Sequence, residues 1–556
     1  MLRLFFILLI GLFSFLQATT LNSIIISGNK AISSQDILAV ITNKPGEELV
    51  TENILADIHN IYNMGYFKDS VSAETVFVSG NKADLIFTIE ENPVVNQIYF
   101  VGLTAFKQEE LMASMNMKKG KILNYSELRQ DIQNITNFYH ERGYVLMNVK
   151  EISEPQDDNI LTIVLKEGII EDIFFKGMAF TKEYVLTREM ETQIGTAFNI
   201  NTIQEDMRNI YNTGYVDNIN IDPPMAGVNP DKVVVVINVQ EKRSGSLQFG
   251  GGIGSATGFF GFIQLSFINF LGEGYNMSTK GQWGEKQLTY EFKYFNPWFF
   301  KDHTSMTFRL WNTDGLIDEG QGLKAFNTGG EVILGKPLTK QISGFVSARV
   351  NNVIPQETSI NSYEVRSIGG GLSYDTRDYI FNPSSGDYAL VNANASLKVL
   401  GASIEFIKYR IKYNKYFPLG NDFALGFKGT IDDSFGTIFD TERYFAGGAT
   451  TVRGYRDGSP FAIGGRRFLG TVELRYNINQ QMQLYFFYDL GKVTKGLADC
   501  NFTGDPTWRT GKGIGFKIIT PIGPLRFDYA WGDGKPYSDN LDSSSGVIHF
   551  NIENTF

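Results

Sequence analysis

The sequence predicts α+β repeats followed by a transmembrane antiparallel β-barrel of about sixteen strands. Three observations carry that reading. A set of residue markers recurs three times before Arg243. From Ser244 onward, helical spacing gives way to period-two alternation of apolar and polar residues. The composition is rich in Phe, Tyr and Gly, with 44, 26 and 57 copies, as suits a tall barrel with aromatic girdles and many turns.

The first element is a secretory signal peptide, residues 1–18. Arg3 supplies its positive start, Leu4–Leu16 its apolar core and Ala18 the residue before cleavage. No later run approaches 18 apolar residues, so no spanning helix is predicted. An exported chain of this kind enters a membrane only as a closed barrel, because lipid leaves open strand edges unpaired. The net charge of −10 provides no basic field for nucleic acid. The single cysteine, Cys500, permits no intramolecular disulfide, and four scattered histidines make no structural metal set. No cofactor and no metal are expected.

The repeats follow. Ile24–Gly28, Ile98–Gly102 and Ile173–Gly177 open them, and their glycines lie 74 and 75 residues apart. Gly65-Tyr66, Gly143-Tyr144 and Gly214-Tyr215 form a second marker, and an acid after an apolar strand closes each unit, at Glu91, Glu167 and Glu241. Ordered recurrence at one period is a strong repeat signal. Each unit reads strand, helix, helix, strand, strand. In the second, Glu109–Met115 and Ser126–Arg142 read as helices, and Leu128, Ile132, Ile135 and Tyr139 share one helical face. The units are set at 19–92, 93–168 and 169–243. They resemble POTRA domains, in which the Gly-Tyr pair and terminal acid are typical. That resemblance implies binding, with sheet edges accepting an extended chain by strand addition.

Residues 244–556 read as the barrel. Ile407, Tyr409, Ile411 and Tyr413 alternate with Lys408, Arg410, Lys412 and Asn414, and Ile548, Phe550, Ile552 and Phe556 with His549, Asn551, Glu553 and Thr555. Leu525, Phe527, Tyr529 and Trp531 face away from Arg526 and Asp528. Such strands suit a wall with lipid outside and water inside. Trp298, Phe299 and Phe300 fit a girdle. Gly250–Gly254 fails as a nucleotide loop, since alternation continues around it and no helix or Walker lysine follows. It reads instead as a strand with few side chains to pack, hence weak lateral pairing.

One stretch interrupts the alternation: Tyr444–Tyr455, with Val452, Arg453, Gly454 and Tyr455 at its tip. On the next two strands, parity puts Val472, Leu474, Tyr476, Leu484, Phe486 and Tyr488 towards lipid, and Glu473 and Asp489 towards the lumen. A loop folded inward over 433–466 could place the Arg453 fork between those acids. Lumen acids can equally be solvated singly, and the residues alone leave both readings open.

Tyr444–Tyr455 resembles the signature loop of the BamA/TamA superfamily of POTRA-bearing outer-membrane β-barrels. Asn269–Gly272, Asp375–Asp378 with Asn382-Pro383, and Thr520–Pro524 agree with that family. The resemblance implies that Arg453 pairs with Glu473 and Asp489. It implies no enzyme, but an insertase of the Gram-negative outer membrane with its POTRA units in the periplasm. Clients are unfolded outer-membrane β-barrel proteins, helped by periplasmic accessory lipoproteins and chaperones and received by outer-membrane lipid. A lateral seam is expected between the first strand (Phe249, Gly250, Gly251, Gly252, Gly254) and the last (Phe550, Ile552, Phe556). Three repeats also suit a TamA-like translocation and assembly factor, a chloroplast import channel or a POTRA-docked secretion channel.

Overall fold

The computed structural model describes residues 19–155, 159–254, 258–318, 323–356, 361–379, 382–420, 422–479, 481–520, 523–533 and 546–552. The predicted signal peptide and Phe556 lie outside them. The chain divides into two compact units: Met1–Met178 with Leu186–Gln240, and Ala179–Val185 with Glu241–Phe556.

The first unit is built from the repeated element order. In the first repeat, Thr20–Ser27 pairs in parallel with Lys82–Thr88, and Ser72–Ser79 pairs antiparallel on the other side. The second repeats this with Gln97–Val101, Ile160–Lys166 and Asn148–Ser153. In the third, Ile169–Lys176 pairs in parallel with Lys232–Glu241. Alternation on the central strand buries Leu85 and Phe87 in one repeat and Leu161, Ile163 and Leu165 in the next. Against them lie the long helices Thr51–Asn63, Tyr125–His140 and Ile200–Asn212. Their buried stripe is spaced by two turns, as with Leu128 and Ile135, or Ile203 and Ile210. Each such side chain contributes roughly 1.5–3 kcal/mol of burial. The second long helix starts at Tyr125 and ends at His140 with Asn124 as its cap, a residue or two from the predicted bounds, since helix ends fray.

The repeat markers have physical causes. A side chain on Gly28, Gly102 or Gly177 would strike the carbonyl of Ile89, Leu165 or Val239 on the neighbouring strand, and all three glycines have positive φ. Two residues beyond each carbonyl stands the closing acid. Glu91 accepts the amides of Lys30 (2.8 Å), Ala31 (2.9 Å) and Ile32 (2.8 Å). Glu167 accepts those of Thr104 (2.9 Å) and Ala105 (3.2 Å), and the Tyr139 hydroxyl at 2.6 Å. Glu241 accepts those of Ala179, Phe180 and Thr181. Burial alone would raise the Glu91 pKa, but the amides of Ile32, Lys30 and Ala31 together hold it below the usual carboxylate range. Burial and the bond to Glu167 push the Tyr139 hydroxyl up.

A fourth marker was not read from the sequence. Asp57, Asp131 and Asp206 are fully buried in the long helices. Asp131 accepts the amides of Asn116 (2.6 Å) and Met117 (2.8 Å), Asp57 those of Thr42 and Asn43, and Asp206 those of Glu191 and Thr192. Each carboxylate satisfies amides left open behind the short helix of its repeat.

Consecutive repeats share one joint. The helix-capping Asn124 accepts the amides of Ser126 and Glu127 while donating to the Met64 carbonyl (3.0 Å). Gly65 of the preceding repeat accepts the Tyr125 amide at 2.9 Å. Asn199 repeats this, capping Asn201 and Thr202 and donating to Arg142 (2.9 Å), while Gly143 accepts from Ile200. A side chain on Gly65 or Gly143 would strike the capping asparagine, whereas one on Gly214 would meet open space.

The second unit is the barrel. Its main sheet has seventeen strands among the described residues. Sixteen form the wall and one, Leu497–Asp499, is a three-residue strand within a loop. The wall runs from Gly245–Gly254 through consecutive antiparallel neighbours to Val547–Ile552. Alternation sorts its faces. On Phe406–Leu419, Ile407, Ile411 and Tyr413 are exposed outward, while Asn414 and Tyr416 are buried inside. On Met482–Thr494, Phe486 and Tyr488 face out, while Gln483, Tyr485, Phe487 and Asp489 face in. No helix of the described residues is long and apolar enough to cross a membrane.

Candidate functional site

Wall strand Phe423–Thr437 continues further than the sequence suggested, so the loop enters after Thr437 and not at residue 433. The ladder to Phe406–Leu419 holds Asp433–Gly436 in register, and backbone pairing overrides the local Gly and Ser content. The loop then folds into the lumen. Tyr444–Ala446 pairs with Ala462–Gly464, which pairs with Thr503–Gly504 of the following loop. Ala446, Val452, Tyr455, Phe461 and Val493 make a small buried cluster.

The tip turns through Gly447, Gly448 and Gly454, all at positive φ. Gly448 donates to the Val452 carbonyl (3.0 Å) and Gly447 to Thr451 Oγ1 (2.9 Å). Gly454 has a second reason to be glycine: a Cβ there would strike the backbone of Trp531 and Gly532 on wall strand Gly523–Gly532. Val452 sits over the bare Cα of Gly491, and the Tyr455 hydroxyl donates to Asp533 at 2.8 Å.

Arg453 is 3 % exposed and spans three carboxylates. Its Nε and Nη2 make a fork on Asp489, at 2.7 Å and 2.8 Å. Nη2 also lies 3.4 Å from Glu473 Oε1, and Nη1 lies 3.3 Å from Asp528 Oδ1. Its guanidinium carbon stands 3.4 Å from the ring centroid of Phe487. Glu473 is shared with Lys428 (3.0 Å) and with the Arg475 fork (3.0 Å and 2.6 Å). Asp528 is shared with Arg526 (3.0 Å) and the Tyr485 hydroxyl (2.7 Å). Arg475 also donates to the Pro383 carbonyl (3.0 Å), so one polar network joins the loop tip to the turn between two earlier wall strands. At the root of the loop, Asp432 holds Arg410 and Arg467, and Asp433 holds Arg466 and the Tyr409 hydroxyl. This arrangement is an ion-pair lock. Its five carboxylates and Arg453 are buried, where a charge is worth more than on a surface and costs more to strand.

The structure therefore brings together Val452, Arg453, Gly454, Tyr455, Glu473 and Asp489. Sequence reasoning missed Asp528, Lys428 and Arg475. Their inward parity was readable, but their meeting depends on strand tilt and stagger.

The residues read as a seam lie on the two end strands of the sheet. Phe249 points outward, 80 % exposed. Gly250, Gly251, Gly252 and Gly254 pair with Phe262, Gly261, Phe260 and Gly258 on the second strand, and the Phe262 ring covers the bare Cα of Gly250. Phe550 packs on Phe527 with centroids 4.7 Å apart. The Ile552 side chain and Phe556 lie outside the described residues. Cα atoms of the end strands approach within 8 Å, yet among the described residues no ladder pairs them.

Comparison with known proteins adds a family. Residues 269–556 match the Omp85 superfamily domain, and residues 19–92, 93–168 and 169–242 each match the surface antigen variable number repeat, the POTRA unit. The chloroplastic outer envelope protein 80 of Oryza sativa subsp. japonica is 23% identical over 539 residues, covering 88% of this chain and 79% of that protein. A putative outer membrane protein assembly factor of Treponema pallidum is 28% identical over 311 residues, 51% of this chain; the match spans only 37% of the treponemal protein. The crystal structure of BamA from Haemophilus ducreyi lacking POTRA domains 1-3 superposes with a TM-score of 0.56 at 18% identity, covering 83% of this chain and 98% of that one, a likeness of fold.

Proposed function

We propose a function from one premise: this chain belongs to the Omp85 superfamily, whose domain matches residues 269–556. The function is insertion of outer-membrane β-barrel proteins, with the POTRA repeats receiving unfolded clients on the periplasmic side of a Gram-negative outer membrane. The observation that carries it is the end-to-end geometry of the wall sheet. Two end strands lie side by side without a ladder among the described residues, and one of them is thinned by glycines. A sheet edge of that kind is a template for an incoming strand. Ser72–Ser79, at one edge of the first repeat's sheet, exposes Phe77 and Val78 and supports capture of an extended chain upstream. Burial of the client's apolar wall in lipid supplies the driving force, so the reading needs no fuel and no catalytic group. Accessory lipoproteins and chaperones are the partners such a receiver calls for.

The test is a disulfide lock. Cysteines placed across Gly245–Gly254 and Val547–Ile552 should block client insertion when oxidised and restore it when reduced, with the barrel folded in both states. Depleting the protein should also leave client barrels unfolded in a census of outer-membrane proteins. A TamA-like role would restrict that loss to a few clients, and a secretion channel would leave the census intact. Full insertion by the oxidised lock would sink the seam.

A further inference from the structure

The last wall strand is held from two directions. Val547–Ile552 pairs on one side with Gly523–Gly532, over six residues of register from Ala530↔Val547 to Leu525↔Ile552. Its other side has no ladder among the described residues. His549 of this strand points into the lumen and is fully buried. There it meets the loop tip: the Gly454 amide donates to His549 Nε2 at 3.2 Å, and His549 Nδ1 lies 3.2 Å from Asp457 Oδ2. A ring nitrogen that accepts is unprotonated, so the ring proton sits on Nδ1 and is donated to Asp457. Asp457 is itself fixed to the loop by the Ala449 amide at 2.8 Å. Both ring nitrogens of a buried wall residue are thus spent on the loop that Arg453 anchors to Glu473, Asp489 and Asp528.

We infer that His549 is a positioning residue through which the Arg453 loop clasps the last wall strand and sets how readily that strand leaves its neighbours. The clasp joins the anchored loop to the proposed edge of the seam, and to that extent it rests on the insertase reading. The imidazole suits the task because it accepts at one atom and donates at another, which phenylalanine cannot do.

The experiment is hydrogen–deuterium exchange on the full chain in lipid nanodiscs, without client. In His549→Phe, which keeps the ring but loses both bonds, exchange across Val547–Ile552 should rise by about tenfold or more. Gln287–Phe300 should be unchanged, and so should the protease resistance of the loop, because the Arg453 contacts remain. His549→Gln, whose amide also accepts and donates, should recover most of the protection. Asp457→Ala approaches the same contact from the loop side, should loosen the same six residues, and stands in if His549→Phe does not assemble. Wild-type exchange of Val547–Ile552 in a folded His549→Phe or Asp457→Ala barrel would overturn the clasp, as would a rise spread evenly over the wall. If the clasp behaves as stated but client barrels still assemble when the protein is depleted, the insertase reading fails and the clasp stands.

Discussion

Replacing Arg453 by alanine removes one guanidinium from among three buried carboxylates, and the three do not suffer alike. Glu473 keeps Lys428 and Arg475, and Asp528 keeps Arg526 and the Tyr485 hydroxyl. Asp489 loses its only cation among the described contacts and is left with the Thr471 hydroxyl (2.9 Å) and the Arg453 backbone amide (3.1 Å). Stranding one buried charge costs about 3–5 kcal/mol. Loss of the contact with Phe487 adds about 0.5–2 kcal/mol. The loss falls on docking of the loop, because the wall ladders do not pass through Arg453. At about 1.4 kcal/mol per tenfold, the undocked population rises by roughly two and a half to five orders of magnitude. Limited proteolysis of residues 438–465 should therefore accelerate sharply, while mobility on gels run without heating still reports a closed barrel. Arg453→Lys should recover only part of the protection, since a point charge cannot fork on Asp489 and reach the flanking acids. Asp489→Asn combined with Arg453→Ala should cost less than the sum of the two, because removing the acid relieves the stranded charge. Wild-type protection of the loop in Arg453→Ala, or strict additivity in the double variant, would refute this account.

Three further outcomes concern the repeats. Asp131→Ala orphans the Asn116 and Met117 amides at roughly 1–3 kcal/mol each, so that repeat should lose about 2–6 kcal/mol, measured as exchange of its core amides. Gly143→Ala should destabilise its joint more than Gly214→Ala does. Both have positive φ, but only Gly143 faces a capping asparagine, and equal melting shifts would contradict the joint. The Glu91 pKa is lowered in the folded protein, so its contribution is present above the unfolded Glu value of about 4.3 and lost as pH falls through the lower folded value. Protection of the Lys30–Ile32 amides should fall over that acid range, and Glu91→Gln should abolish the dependence.

Much of this was legible from residues. Gly28, Glu91 and their repeats were visible because the backbone demands them at fixed distances, and Glu473 and Asp489 because a strand's faces alternate. Asp57, Asp131 and Asp206 recur at the same 74- and 75-residue spacing as the opening glycines, yet a lone acid on a helix reads as part of its wet face. Only the packed repeat reveals the open amides it serves. Asp528 and His549 faced inward on parity alone. What could not be read was that strands far apart in sequence meet one loop, since that is fixed by the tilt and stagger of the wall.

The shared asparagine of the joints makes the stability of each repeat partly the property of its neighbour. Asn124 completes its own helix cap while bonded to the turn of the repeat before it, so the cap is fully formed only when both are folded. The array then behaves as a one-dimensional chain of coupled sites, with a boundary energy wherever a folded repeat abuts an unfolded one. The middle repeat carries two such boundaries and the first carries one. Spontaneous opening is accordingly cheaper at the first repeat, the one whose edge strand presents Phe77 and Val78, than at the middle one.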